Sequence, residues 1–120
     1  MPKFNLRNLK IGVVGLGYVG LPLAVEFGKR FNTIGFDIKS ARVDELKRGQ
    51  DSTLETTETE LAEATKLAYT TKLADLKPCR VFIVTVPTPI DEYKRPDLTP
   101  LVKSSESVGQ VLKKGDVVVY

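Results

Sequence analysis

The sequence contains no histidine and a single cysteine among its 120 residues. Without histidine, the chain alone cannot form a Ser-His-Asp triad, a Cys-His dyad or a histidine-rich metal site. One cysteine excludes an internal disulfide framework and a four-cysteine zinc site. Eighteen basic and fifteen acidic residues leave a net charge of +3, which is too small and too dispersed to predict a nucleic-acid partner. We therefore expect no metal site and no nucleic-acid binding.

A long apolar run is also missing. The uncharged stretch at residues 11–25 has fifteen residues, whereas a membrane-spanning helix needs about eighteen or more. It contains glycines and a proline, and no small-x-small cleavage site follows it. We therefore expect no membrane partner and no export, and we predict a cytoplasmic protein.

The pattern that is present predicts a single α/β domain. A hydrophobic fraction of 42% and a charged fraction of 28% are typical of globular proteins. Apolar, β-branched runs predict strands at residues 10–14, 33–36, 68–71, 81–86 and 116–120. Amphipathic spacing predicts helices at residues 19–30, 40–47, 57–67 and 100–113. Strands that alternate with helices predict a doubly wound parallel sheet with right-handed crossovers.

Several polar residues are predicted to start helices. Ser40 is a candidate cap for the second helix, and Asp97 or Thr99 for the last one. Thr57 and Glu60 have the spacing of a capping box.

Three glycines carry the chemistry. Gly15, Gly17 and Gly20 form GLGYVG between the first strand and the first helix. In a dinucleotide-binding turn, the first glycine allows the tight turn, the second allows the backbone to approach a pyrophosphate, and the third allows the helix to pack closely on the strand. The helix N-terminus then offers amide hydrogens to the phosphates. The alternative is a turn that needs flexibility only.

An acid follows the second strand at the expected distance. Asp37 lies 22 residues after Gly15, where a carboxylate can accept hydrogen bonds from an adenosine ribose and would repel a 2′-phosphate. This position favours NAD over NADP, although Lys39 and Arg42 could meet a phosphate. The alternative for Asp37 is a surface acid that ends a strand.

A second candidate segment follows the strand VFIVTV. The loop from Val86 to Asp91 leaves a carboxyl end of the predicted sheet, where ligands of doubly wound folds bind, and Thr88 offers a hydroxyl. A rigid structural turn is the alternative.

Cys79 precedes the same strand, so we expect it at the N-terminal edge of the sheet, opposite the cofactor, as a half-buried structural residue. We interpret Lys113 and Lys114 as structural cations at a helix end, and the acidic stretch 51–65 as a solvated helix face.

Several segments together resemble a known family. GLGYVGLPLA, FDI with Arg42, VPTPID, PDLTPL and LKKGDVVVY resemble the N-terminal NAD-binding part of the UDP-glucose/GDP-mannose dehydrogenases, a Rossmann-type domain. The VPTPID and PDLTPL forms are most similar to bacterial UDP-N-acetylglucosamine (or N-acetylhexosamine) 6-dehydrogenases of surface polysaccharide biosynthesis. The resemblance extends from Lys10 to Tyr120.

The resemblance implies an enzyme that oxidises the C6 alcohol of a UDP-sugar, such as UDP-N-acetylglucosamine or UDP-glucose, to a uronic acid with two NAD⁺. A cysteine thiolate would hold the intermediate as a thiohemiacetal and then a thioester. In the family, this cysteine lies beyond the first 120 residues. The implied cofactor-binding residues are Gly15, Gly17, Tyr18 and Val19 at the pyrophosphate, Asp37 and Arg42 at the adenosine, and Val86, Pro87 and Thr88 beside the cofactor.

We therefore expect residues 1–120 to be the NAD-binding domain of a longer enzyme, without the catalytic and substrate domains, and inactive alone. An apolar last strand predicts self-association, so we expect a homo-oligomer. Three alternatives stay open. They are a regulatory Rossmann module that senses NAD or another nucleotide for a transporter or channel, a relative of the 3-hydroxyacid or 6-phosphogluconate dehydrogenases, and a structural fragment without a cofactor.

Overall fold

The apolar runs of the sequence form one parallel sheet. A computed structural model of the chain describes residues 9–86 and 98–120. The strands are β1 (Lys10–Val14), β2 (Asn32–Phe36), β3 (Leu67–Thr70), β4 (Val81–Val84) and β5 (Val117–Val119). Their order across the sheet is β3-β2-β1-β4-β5, and every neighbouring pair is parallel. The fold is therefore the predicted Rossmann-type doubly wound sheet.

Within the described ranges, four α-helices connect the strands. They are α1 (Gly20–Gly28), α2 (Ser40–Lys47), α3 (Glu58–Glu63) and α4 (Thr99–Val111). A 3₁₀ turn at Leu73–Leu76, which the sequence pattern did not predict, precedes β4. The predicted ends differ from the observed ones by a few residues, because the last turns of α1, α3 and α4 are not helical.

Two of the predicted caps are wrong. Ser40 is the first residue of α2 and Lys39 occupies the cap position without a side-chain hydrogen bond. Leu98 holds the cap position of α4, so Thr99 lies inside the helix, and Asp97 lies outside the described residues. The capping box is confirmed, because the Glu60 amide donates to the Thr57 hydroxyl and the Thr57 amide to the Glu60 carboxylate.

The core has two halves, one on each face of the sheet. One face packs Ile11 and Val13 of β1 against α1, α2 and α3. The other packs Val14 and Phe82 against the 3₁₀ turn and α4. Successive side chains of a strand point to opposite faces, so β1 serves both halves. The chain leaves β1 toward β2 on one side and reaches β4 on the other, which makes the carboxyl end of β1 the switch point of the fold.

Candidate cofactor site

A turn at Gly15 carries the chain out of β1. Gly15 has a φ of +99°, a left-handed conformation that L side chains rarely adopt. Its amide donates to the Phe36 carbonyl oxygen over 2.8 Å, beside the end of β2. A Cβ on Gly15 would lie 3.1 Å from the Thr85 carbonyl oxygen. The turn therefore requires the glycine that the sequence predicted for it.

Gly20, the first residue of α1, packs directly against this turn. A Cβ at this position would lie 1.9 Å from the Gly15 carbonyl oxygen and 2.3 Å from Thr85 Oγ1. Backbone atoms cannot give way at such distances. The close approach of helix and strand that the third glycine of the motif predicted is confirmed.

Gly17 lies between these two residues and faces open space. Among the described residues other than its two chain neighbours, no atom would lie within 4 Å of a Cβ added to Gly17. The neighbouring Tyr18 and Val19 are 70% and 51% exposed. The first turn of an α-helix directs amide hydrogens outward without intrahelical partners, and α1 begins directly after these residues. The arrangement leaves a cradle of a kind that fits a diphosphate.

The Asp37 carboxylate faces the glycine turn. Its Oδ2 accepts from the Leu16 amide over 3.0 Å, and its Oδ1 accepts from the Lys39 amide over 2.9 Å. Each carboxylate oxygen keeps further acceptor capacity. Asp37 is half-buried at the end of β2, so its remaining lone pairs lie beside the turn at the edge where ligands of this fold bind.

Arg42 of α2 reaches back to the same turn. Its Nε donates to the Leu16 carbonyl oxygen over 2.7 Å, and its Nη1 bonds to Asp51 over 2.7 Å and to Glu45. Only 10% of the Arg42 side chain is exposed. The structure thus brings Arg42 and Asp37 to the same residue, Leu16, and buries most of the Arg42 side chain.

The interpretation of residues 51–65 as a solvated face is wrong for Asp51. The Asp51 side chain is fully buried, and hydrogen bonds from its own loop and from Arg42 compensate the carboxylate for the loss of water. Burial acts to raise the pKa of Asp51, but hydrogen bonds from Thr53, Arg42 and Thr56 outweigh it and hold the pKa well below its usual range.

Thr85 is a site residue that the sequence reasoning missed. Its hydroxyl donates to the Gly15 carbonyl oxygen over 2.9 Å, and its amide donates to the Val14 carbonyl oxygen over 2.9 Å. The sequence feature that could have identified Thr85 is its hydroxyl within the otherwise apolar run VFIVTV. Val86 Cγ1 lies 3.3 Å from the position of a Cβ on Gly15. The other two predicted residues of this loop, Pro87 and Thr88, lie outside the described residues.

Cys79 lies at the amino end of the parallel strands, opposite the glycine turn, as predicted. It is fully rather than half buried. Burial raises the pKa of its thiol to about 11, so the thiolate needed for nucleophilic chemistry is disfavoured at neutral pH. Lys113 donates to the carbonyl oxygens of Lys77 and Cys79 and bonds to Asp116. Its structural role is confirmed, although it acts through these contacts rather than through the helix end.

One groove among the described residues lies away from the glycine turn. It measures about 480 Å³ and lies between α2, α3 and β3, beside Leu46, Leu61 and Tyr69. Its lining is mostly aliphatic and offers no group of converging charges.

No cluster of three metal-ligating side chains occurs in the described ranges. None of the helices observed there is long and apolar enough to span a membrane.

Comparison with known proteins gives a consistent result. The profile of the UDP-glucose/GDP-mannose dehydrogenase family, NAD binding domain, matches residues 9–120. The chain is similar to the UDP-N-acetyl-D-glucosamine 6-dehydrogenase of Pseudomonas aeruginosa, with 65% identity over 115 residues, 96% of this chain and 27% of the relative. It is 57% identical to the enzyme of the same name from Salmonella typhi over 117 residues, 98% of this chain and 28% of the relative.

A solved structure agrees with these relatives. A ternary complex of GDP-mannose dehydrogenase from Pseudomonas aeruginosa superimposes with a TM-score of 0.82 at 27% identity, covering 91% of this chain and 27% of that one. The chain therefore spans about a quarter of the length of each of these three proteins.

Proposed function

Because this chain belongs to the UDP-glucose/GDP-mannose dehydrogenase family and matches its NAD-binding domain, we propose that it holds NAD for a nucleotide-sugar 6-dehydrogenase. The reaction would oxidise the C6 alcohol of a UDP-sugar, with UDP-N-acetylglucosamine or UDP-glucose as the substrate, to a uronic acid with two NAD⁺. The 65% and 57% identities to two UDP-N-acetyl-D-glucosamine 6-dehydrogenases favour the N-acetylated sugar.

The observation that carries this proposal is the contrast within the glycine turn. The Gly20 side is filled by the chain's own backbone, whereas the Gly17 side is open. A pyrophosphate fits that opening, because backbone amides and the α1 dipole favour negative charge there.

The proposed contacts follow the turn outward. Gly15, Gly17, Tyr18 and Val19 would contact the pyrophosphate, Asp37 and Arg42 would lie on the adenosine side, and Val86, Pro87 and Thr88 would flank the cofactor. NAD supplies the hydride acceptor when it is bound. The described residues bind and orient it, with Asp37 selecting an unphosphorylated ribose.

The nucleophile of the reaction would come from another part of a longer enzyme. Cys79 is buried at the far edge of the sheet, so it cannot reach a sugar at the glycine turn. We propose that this chain is the N-terminal NAD-binding domain of that enzyme, with the catalytic and substrate domains elsewhere. The alternative role as a nucleotide-sensing module of a transporter or channel has no observation in its favour, since the relatives described above are dehydrogenases.

Calorimetric titration with NAD, with NADP as the control, tests the cofactor assignment. We expect NAD to bind more tightly than NADP. Asp37→Ala should weaken NAD binding about tenfold, because a hydrogen bond to a charged group contributes about 1.5 kcal/mol, and should narrow the preference over NADP. Equal affinity for both nucleotides, or an unchanged affinity in the variant, would contradict the assignment.

A second assay tests the division of labour. The purified 120-residue chain should produce no NADH from UDP-N-acetylglucosamine or UDP-glucose, because it lacks an accessible thiolate. Measurable NADH formation would refute the view that the nucleophile lies elsewhere, and its loss in Cys79→Ser would identify Cys79 as that nucleophile.

We also propose a cytoplasmic homo-oligomer. Val119 and Tyr120 are exposed at β5, an edge strand of the described sheet, and an apolar edge favours pairing with another chain. Sedimentation analysis tests this assignment, and a monomer at high concentration would contradict it.

A further inference from the structure

Hydrogen bonds with two side chains fix the peptide groups before and after Leu16. Its amide donates to Asp37 Oδ2 over 3.0 Å, and its carbonyl oxygen accepts from Arg42 Nε over 2.7 Å. Its side chain is fully buried in the core. Leu16 directly precedes Gly17, so the orientation of its carbonyl sets the orientation of the peptide group that carries the Gly17 amide.

Arg42 is in turn held by Asp51. The Nη1 atom of Arg42 lies 2.7 Å from Asp51 Oδ1, and the Asp51 side chain has no exposure. Glu45 also bonds to Nη1. Nη2 is buried and has no hydrogen-bond partner among the described residues. An unsatisfied buried donor is unfavourable, so Nη2 does not help to hold the guanidinium in place. Its position therefore depends on the bonds that Nη1 makes to Asp51 and Glu45.

The Asp51 carboxylate is fixed by the loop that follows it. Oδ1 accepts from the Thr53 amide over 3.0 Å and from its hydroxyl over 2.6 Å, and Oδ2 accepts from the amides of Glu55 and Thr56 over 3.0 Å each. Both oxygens are therefore locked. A locked carboxylate can hold an arginine in one position, as a mobile surface acid cannot.

We propose that Asp51 is a positioning residue of the dinucleotide site, which acts through Arg42 on the Leu16 carbonyl and so aligns the amides at Gly17 with the diphosphate. This inference rests on the proposed function. Asp51 lies two contacts away from the open side of the turn, so it positions the site without touching the cofactor.

A double-mutant cycle with calorimetry separates this role from a general effect on the fold. Asp51→Asn should lower NAD affinity about tenfold, the size of coupling expected for residues in one network. In an Arg42→Met background, the same substitution should have no further effect. Additive losses in the double variant would overturn the proposal.

Thr57→Ala provides a matched control. It removes the hydroxyl that caps α3, six residues after Asp51, but leaves the Asp51 carboxylate and its contact with Arg42 in place. We expect a lower Tm and an unchanged NAD affinity. If Thr57→Ala costs as much affinity as Asp51→Asn at the same loss of Tm, local stability explains the effect and the positioning role is refuted.

A ligand-free readout distinguishes failure of this inference from failure of the proposed function. Amide proton–nitrogen NMR of Asp51→Asn should show shifted signals for Gly17 and Tyr18, and these shifts should be absent when Arg42→Met is already present. Changes confined to residues 51–56 would overturn the positioning role whether or not NAD binds. Absence of NAD binding by the unaltered chain would instead refute the proposed function.

Discussion

The amino end and the carboxyl end of β1 differ in how closely other atoms of the chain pack against them. At the amino end, a Cβ on Gly12 would lie 3.1 Å from Leu76 and 3.3 Å from Cys79 Sγ, and Lys113 covers this end by bonding to nearby carbonyl oxygens. At the carboxyl end, Gly17 faces no described atom within 4 Å. One end is closed by side chains, and the other is left open by a turn.

The open end is open on one side only. Gly20 lies three residues after Gly17, yet a Cβ there would overlap the Gly15 carbonyl oxygen. The motif therefore combines a glycine that the fold requires with a glycine that the fold does not require. The second kind is explained by a ligand, and substitutions can separate the two.

The largest expected effect is on folding, from Gly20→Ala. The added methyl group would overlap backbone and the Thr85 hydroxyl, so we expect a loss of more than about 4 kcal/mol in the free energy of unfolding. Urea denaturation measures it. Gly17→Ala is the matched control, with an expected change below about 0.5 kcal/mol. Similar losses in both variants would remove the distinction between the two sides of the turn.

The next effect is on binding, from Gly17→Val. Gly17 has no positive φ and open space around it, so the fold should remain intact. The side chain would occupy the proposed diphosphate position and displace about two charge-assisted hydrogen bonds of roughly 1.5 kcal/mol each, which corresponds to about a 100-fold loss of NAD affinity. Calorimetry measures this loss. Unchanged affinity in a folded variant would place the cofactor elsewhere.

Acid should weaken both ends of the sheet, each through a different carboxyl group. The pKa of Asp51 is below its usual range in the folded chain. Its stabilising contribution is therefore complete above the unfolded value of about 3.9 and is lost as the pH falls below it. In Asp51→Asn, the decline of unfolding free energy below about pH 4 should be shallower by up to about 1.4 kcal/mol per pH unit.

The counterpart at the amino end is Asp116. Burial acts to raise its pKa, but bonds from Lys113 and Arg80 outweigh this and lower it. Asp116→Asn should flatten the same decline and leave NAD affinity unchanged. If denaturation curves at pH 6, 4 and 3 keep the slope of the unaltered chain in both variants, these carboxyl groups do not govern acid stability.

The smallest expected effect is on the reactivity of the thiol at the amino end of the sheet. Cys79 is fully buried and its thiol has a pKa of about 11, so a thiol reagent such as dithionitrobenzoate should react slowly with the native chain and rapidly after unfolding. NAD should not alter the native rate, because the thiol lies at the other end of the sheet. Fast native labelling would show that this end is not closed.

The sequence predicted what local spacing determines. β1 and the end of α2 occur where expected, and so does the glycine turn with Gly15 and Gly20 in the predicted roles. Strand periodicity and the demands of a tight turn act over a few residues, so a single chain reveals them.

Contacts between distant residues were not predicted. The Thr85 hydroxyl meets Gly15 only because β4 pairs with β1. Asp51 appeared to be one acid of a solvated stretch because its partner Arg42 lies on another element. Ser40 failed as a cap because the Lys39 carbonyl oxygen accepts from the Val43 amide, which starts the helix one residue earlier. Each outcome depends on which element arrives beside which, and spacing alone does not contain that information.

The strand order has a consequence for synthesis on the ribosome. β1, β2 and β3 leave the exit tunnel early and can pair with one another, but the hydroxyl that fastens the Gly15 carbonyl belongs to a residue 70 positions later. Long-range pairing is slow compared with local contacts. β1 is thus completed only after β4 has emerged, and a nascent chain that stalls before β4 exposes an unfinished sheet edge to chaperones and to other chains.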